Sequence, residues 1–126
     1  MKRGIFLVGL FLTVVVSCKP QTNEAKDITV ENLQVVLENE DNVQLLDVRT
    51  PEEWAGGVIK TPIKIDITGE DFEGKVSEKL DKTQPVYIYC RSGGRSKKAT
   101  ELLAKKGYET YNVLGGYLEW TEKNKE

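Results

Sequence analysis

The chain has 126 residues, 39% hydrophobic and 30% charged with a formal charge of −2, which is the size of one small domain and argues against a general nucleic-acid-binding surface. The absence of histidine removes Cys-His and Ser-His nucleophile pairs, histidine zinc sites and imidazole acid-base chemistry in one step. Cys18 and Cys90 are the only cysteines, too few for a cysteine-rich zinc site or a multi-bridge scaffold.

Lys2-Arg3 is followed by an apolar run from Ile5 to Val16, interrupted only by Gly9 and Thr13, too short to span a bilayer and suited to the h-region of an export signal. The run ends Val15-Val16-Ser17-Cys18, similar to the bacterial lipobox, in which a cysteine after a small residue is lipidated and becomes the new N-terminus. The expected organisation is a lipoprotein signal peptide over 1–17, a lipidated Cys18 with a polar, flexible tether over 18–27, and a folded domain over 28–126. This places the domain in a bacterial cell envelope, lipid-anchored and facing the periplasm. A thioether at Cys18 leaves Cys90 as a single free thiol in an exported protein, which calls for a reason.

From Asp27 onward, short apolar runs alternate with helical patterns, the signature of an α/β domain with a mostly parallel central sheet flanked by helices. Thr29 is placed to cap a helix with Leu33, Val36 and Leu37 on one face, and Val43 to Val48 reads as a buried strand. Pro51 suits the start of a short helix that Gly56-Gly57 ends, and Ile63 to Ile67 alternates like a strand. Phe72, Val76 and Leu80 share a helical face, weakened by Gly74. Pro85 to Tyr89 is the strongest strand and runs directly into Cys90. A long helix is expected from about Ser96, burying Ala99, Leu102 and Leu103 and stopping at Gly107. Thr110 to Val113 is a last strand, and Gly115-Gly116 opens a terminal helix.

The chemistry concentrates in Cys90-Arg91-Ser92-Gly93-Gly94-Arg95-Ser96, between that strand and that helix. A thiol at the C-terminal end of a strand, facing a helix N-terminus, sits where parallel α/β sheets bind ligands. Gly93 and Gly94 let successive N–H groups turn inward, and the helix adds partial positive charge. With Arg91 and Arg95 nearby, a stabilised thiolate with a lowered pKa is expected without any histidine. Lys97 and Lys98 read as an exposed helix face.

This loop resembles that of the single-domain rhodaneses, sulfurtransferases whose active loop reads Cys-Arg-Ser-Gly-x-Arg-Ser before a helix. Leu46 to Trp54, Leu-Asp-Val-Arg-Thr-Pro-Glu-Glu-Trp, resembles the family's Asp-Val-Arg segment, and Asn112 to Trp120 resembles its C-terminal Gly-Gly-x-x-x-Trp segment. The similarity runs from about Ile28 to Lys123. One segment departs: where the family has Gly-His-Ile and then Gly-Ala, this chain has Gly57-Val58-Ile59 and then Thr61-Pro62. Since the family's covalent chemistry runs through the loop cysteine, the lost His is expected to change packing or substrate access at Val58 without abolishing sulfur transfer.

The resemblance implies a rhodanese-like fold and sulfur transfer from a small anionic donor such as thiosulfate, through a Cys90 persulfide, to a thiol or cyanide. Arg91, Ser92, Gly93, Gly94, Arg95 and Ser96 would bind substrate, with Arg91 and Arg95 orienting the leaving group; Asp47, Arg49 and Glu53 would support the loop. A monomer, tied to the membrane by its lipid and without nucleic acid, metal or organic cofactor, is expected. Three other readings stay open: a persulfide carrier using protein donors, cysteine-based arsenate or phosphate chemistry, and a non-catalytic tethered interaction domain. Phosphate chemistry fits less well, because only four residues separate Cys90 from Arg95 where such enzymes usually have five.

Overall fold

The computed structural model describes residue 9 and residues 22–125. The expected export signal, apart from residue 9, lies outside the described residues, as do Cys18 and the start of the tether.

Among the described residues, five strands alternate with five helices in chain order: β1 (Lys26–Ile28), α1 (Val30–Asn39), β2 (Gln44–Asp47), α2 (Pro51–Ala55), β3 (Ile63–Lys64), α3 (Phe72–Lys79), β4 (Val86–Tyr89), α4 (Gly94–Lys105), β5 (Thr110–Val113) and α5 (Gly116–Lys123). The strands form one parallel sheet in the order β1-β5-β4-β2-β3, so the fold is α/β with a parallel central sheet flanked by helices. The alternation of apolar runs and amphipathic segments dictates this, because parallel neighbours need a crossover and the helix is the economical one.

Every residue of β4 is buried, since helices cover both faces of the sheet. Val86, Ile88 and Cys90 turn toward α3 and α4, in a core with Leu46, Phe72, Val76, Ala99 and Leu103. Tyr87 and Tyr89 turn the other way, toward Val30 and Leu33 of α1 and Trp120 of α5. Cys90 is therefore the last core residue on its face and the first residue of the loop beyond the strand.

Local signals act as expected at several boundaries. The Thr29 hydroxyl accepts the Asn32 N–H at 3.1 Å and starts α1, and Pro51 leads α2 behind a Thr50 cap. Gly74, which weakens α3 by propensity, has a positive role: the Asp71 carboxylate caps the helix at Gly74 N (3.2 Å), and a Cβ at 74 would collide with that carboxylate.

Four expectations are corrected. The tether does not reach residue 27, because Lys26–Ile28 forms β1 against β5, and Asn23 is already docked through its N–H to Ala104 O (2.9 Å) and its amide to Gly107 O (3.1 Å). The strand expected over 63–67 keeps only Ile63–Lys64 as β3; Ile65 and Ile67 still donate to Asp47 O (3.0 Å) and Val48 O (3.2 Å), and the Asp66 carboxylate then accepts both the N–H and hydroxyl of Thr68 in a turn. The helix expected near Ser96 begins at Gly94, because Gly93 at φ 116° serves as its N-cap and draws half the loop into the first turn. Leu102 is only partly buried, packed against the edge of the core rather than inside it.

Candidate active site

Strand β4 delivers Cys90 to the C-terminal edge of the sheet with only 1% of its surface exposed. Burial raises a thiol's pKa by disfavouring the anion, yet hydrogen bonds from the Ser96 hydroxyl and from the backbone N–H groups of Ser96, Gly93 and Ser92 bring this one below its ordinary value. The Gly93 N–H lies 3.0 Å from Sγ and the Ser96 Oγ 3.3 Å. The left-handed φ of Gly93 makes this possible, folding the loop back so that the N-terminus of α4 points at sulfur.

Ser96 is fully buried and its hydroxyl also lies 3.1 Å from Gly93 O and 2.6 Å from Oδ1 of Asn112 on β5. Asn112 is 4% exposed, a polar side chain inserted behind the loop from the neighbouring strand.

The two loop arginines have different surroundings. Arg91 is exposed, with its carbonyl accepting the Leu118 N–H at 3.0 Å. Arg95 is forked onto Glu53 of α2, at 2.6 and 2.8 Å. Glu53 is itself fixed by a reciprocal cap with Thr50, and the Arg95 guanidinium, opposed in part by burial, lowers its carboxyl to about 2. Arg95 thus stands beside the sulfur with its charge matched, as a strut between α2 and α4. Lys97 and Lys98 are exposed on α4, and so are Ser92 and Gly94 in the loop and first turn.

Asp47 and Arg49 lie one strand away and reach the loop indirectly. Arg49 is 2% exposed and Asp47 fully buried; their forked pair closes at 2.8 to 3.1 Å, and Arg49 also donates to Gly57 O at 2.7 Å. Its guanidinium stacks 4.2 Å from the Tyr117 ring centroid, while the Tyr117 N–H holds the Cys90 carbonyl at 2.9 Å. Val58, where the resemblance leads one to expect His, is half-buried between two anchored neighbours, Gly57 and Ile59, the latter donating its N–H to the Tyr89 hydroxyl at 3.0 Å.

Two contributors escape sequence reasoning. The N-terminus of α5 grips the loop from outside, with Tyr117 and Leu118 N–H groups on the Cys90 and Arg91 carbonyls. Gly116 permits that approach: at φ 55°, any Cβ would lie 2.5 Å from Cys90 O. The signal was the paired glycine of 115–116, which reads only as a helix opening until the loop is seen beneath it. Asn112 is the other, marked in sequence by a carboxamide within an otherwise apolar strand end. A buried thiol with a lowered pKa, ringed by N–H and O–H donors and with no adjacent base among the described residues, suits attack on a polarisable sulfur and stabilisation of the anion that follows.

Residues 29–123 match the family described as the rhodanese-like domain. A sulfurtransferase of Allochromatium vinosum is 37% identical over 95 residues, covering 75% of this chain and 86% of its own. YtwF of Bacillus subtilis, a provisionally named sulfurtransferase, is 36% identical over 102 residues, covering 81% and 96% respectively. Among solved structures, a rhodanese-like domain protein of Staphylococcus aureus is 36% identical and superposes with a TM-score of 0.68, over 75% of this chain and 90% of that one.

Proposed function

The chain belongs to the rhodanese-like domain family, whose members related to it include named sulfurtransferases, and from that premise we propose that it moves sulfane sulfur through a persulfide on Cys90. The Cys90 thiolate attacks the outer sulfur of a donor such as thiosulfate; the donor's S–S bonding pair leaves with sulfite, and the outer sulfur stays on Cys90 as a persulfide. A thiol or cyanide then takes that sulfur, and the new S–S pair returns to Sγ. The observation that carries this reading is the set of donors converging on Sγ, which favours the thiolate against the cost of burying it. Arg91, an exposed residue of the loop, supplies in this reading a cation for the sulfonate of the donor and for the sulfite it becomes. Arg95, held by Glu53, keeps the loop in shape and contributes to the field around it.

Intact mass after incubation with thiosulfate tests this. A gain of about 32 Da, one sulfur atom, that maps to the Cys90 peptide and is removed by cyanide as thiocyanate is expected, and Cys90→Ser should abolish it. Transfer retained in Cys90→Ser sinks the reading.

A further inference from the structure

Ser96 has one hydroxyl proton, and its Oγ faces three acceptors: Asn112 Oδ1 at 2.6 Å, Gly93 O at 3.1 Å and Cys90 Sγ at 3.3 Å. Only one can hold the proton in full. Asn112 is fixed in register between Ile88 of β4 and Asp27 of β1, and its Nδ2 faces Gly93 O at 3.5 Å, which turns Oδ1 toward Ser96.

We propose that Asn112 is a positioning residue that governs the Ser96 hydroxyl: its carboxamide holds the proton while Sγ is uncharged, and gives it up to Sγ when Cys90 is a thiolate. This rests on the reading of Cys90 as the sulfur-transfer nucleophile. A neutral thiol or thioether-like sulfur is a weak acceptor, outcompeted by a carboxamide oxygen, whereas a thiolate is a charged acceptor and the stronger of the two. In the loaded protein the negative charge resides on the outer sulfur, Sγ is uncharged, and the hydroxyl points to Asn112. When the acceptor removes the outer sulfur, the S–S pair returns to Sγ and the hydroxyl rotates back. No proton leaves Ser96 in either direction. Each ionisation of Cys90 deprives a buried Asn112 oxygen of its donor, so Asn112 makes the thiolate less stable than Ser96 alone would, and narrows the gap between empty and loaded states.

The charged groups around the sulfur come from several elements. They are Arg91 and Arg95 on the loop and α4, Glu53 of α2 bound to Arg95, Asp66 acting on Arg95 from beyond β3, and the Asp47–Arg49 pair. Asp27 on β1, the register partner of Asn112, is exposed, as are Lys97 and Lys98. Among the described residues none of these side chains is hydrogen-bonded to Ser96 or Asn112, so a change at 112 leaves their field in place.

The test is the pH dependence of Cys90 alkylation by iodoacetamide in the full chain, read at the Cys90 peptide so that Cys18 does not contribute. Asn112→Leu should lower the midpoint, giving about threefold more thiolate at a fixed pH below it. Ser96→Ala should raise the midpoint, and adding Asn112→Leu to Ser96→Ala should move it no further. A raised or unchanged midpoint in Asn112→Leu, or an equal shift without Ser96, overturns the proposal. A second measurement needs no change at 112: the Asn112 side-chain amide resonances should move as Cys90 titrates, and stay still in Ser96→Ala. Stationary resonances in the unsubstituted protein overturn it as well. Neither readout requires sulfur loading, so failure of thiosulfate to load Cys90 would count against the sulfurtransferase reading and leave the Asn112 result standing.

Discussion

At the scale of single residues, the Cys90 thiol is brought below its ordinary pKa by hydrogen-bond donors. Burial alone would keep the proton on, and the donors supplied by Gly93 and Ser96 reverse that balance. The loop must be held rigid for those donors to act, and Gly116 is where rigidity has the least tolerance. Its Cβ would approach Cys90 O at 2.5 Å and Arg91 O at 2.7 Å, both backbone atoms already engaged by α5. Gly116→Ala should therefore destabilise the protein by roughly 2 kcal/mol or more and slow Cys90 alkylation. Gly93→Ala is the control for stability, since it too has a positive φ, 116°, but a Cβ there meets nothing closer than Gly115 N at 3.8 Å, an ordinary contact. Equal urea midpoints for the two variants would show that backbone conformation, not the contact, sets the effect. Cys90, Gly93 and Ser96 were readable from sequence, because strand, glycine turn and helix follow each other directly. Asn112 and Gly116 were not, because their roles exist only once β5 and α5 pack beside a loop some twenty residues upstream.

Among the elements, α2 is short, contributes no fully buried residue, and matters through one side chain. Glu53 closes the cap of α2 and carries the fork to Arg95, which ties this helix to the first turn of α4. Its carboxyl, ordinarily near 4.5, lies at about 2 in the folded protein. A depressed acid stabilises the fold fully above its unfolded value and loses that contribution as pH falls toward its folded one. The urea midpoint should thus fall more steeply from about pH 5 to pH 2 in the unsubstituted protein than in Glu53→Gln, with the two curves converging at the acid end. Parallel curves would mean the strut adds nothing to folding, as exposed ion pairs often do. Element types were largely legible: strong strands and capped helices declare themselves locally. The failures share a cause. Lys26–Ile28 is three residues with two exposed charged side chains, and becomes a strand only because β5 offers it an edge. Ile63 to Ile67 has strand periodicity, but regular pairing stops at Lys64 and only the N–H groups of Ile65 and Ile67 carry on, ahead of the Asp66–Thr68 turn.

For the molecule as a whole, the sheet separates two cores, one beneath Cys90 and one beneath Tyr89, and the Asp47–Arg49 pair sits among the elements that meet at its C-terminal edge. Arg49 joins β2 through Asp47, the turn after α2 through Gly57 O, β4 through the Tyr89 ring and α5 through Tyr117. A buried pair of this kind is not strongly stabilising in itself, because both ions lose water, but removing one partner leaves a charge with neither solvent nor counterion. Arg49→Leu should cost about 3–5 kcal/mol, a large share of the ~5–15 kcal/mol that holds a small domain together. Arg49→Lys should fall between, since an ammonium cannot fork onto both carboxylate oxygens and reach Gly57 O as well. Adding Asp47→Asn to Arg49→Leu removes the stranded charge and should recover most of the loss, with the unrecovered part measuring what the guanidinium's bridging of Gly57 and Tyr117 contributes. If the double variant unfolds at the same urea concentration as Arg49→Leu, the stranded charge is not the cause. The geometric link among the four elements would then be what Arg49 supplies, and Cys90 alkylation should fall with it, because Tyr117 holds the Cys90 carbonyl.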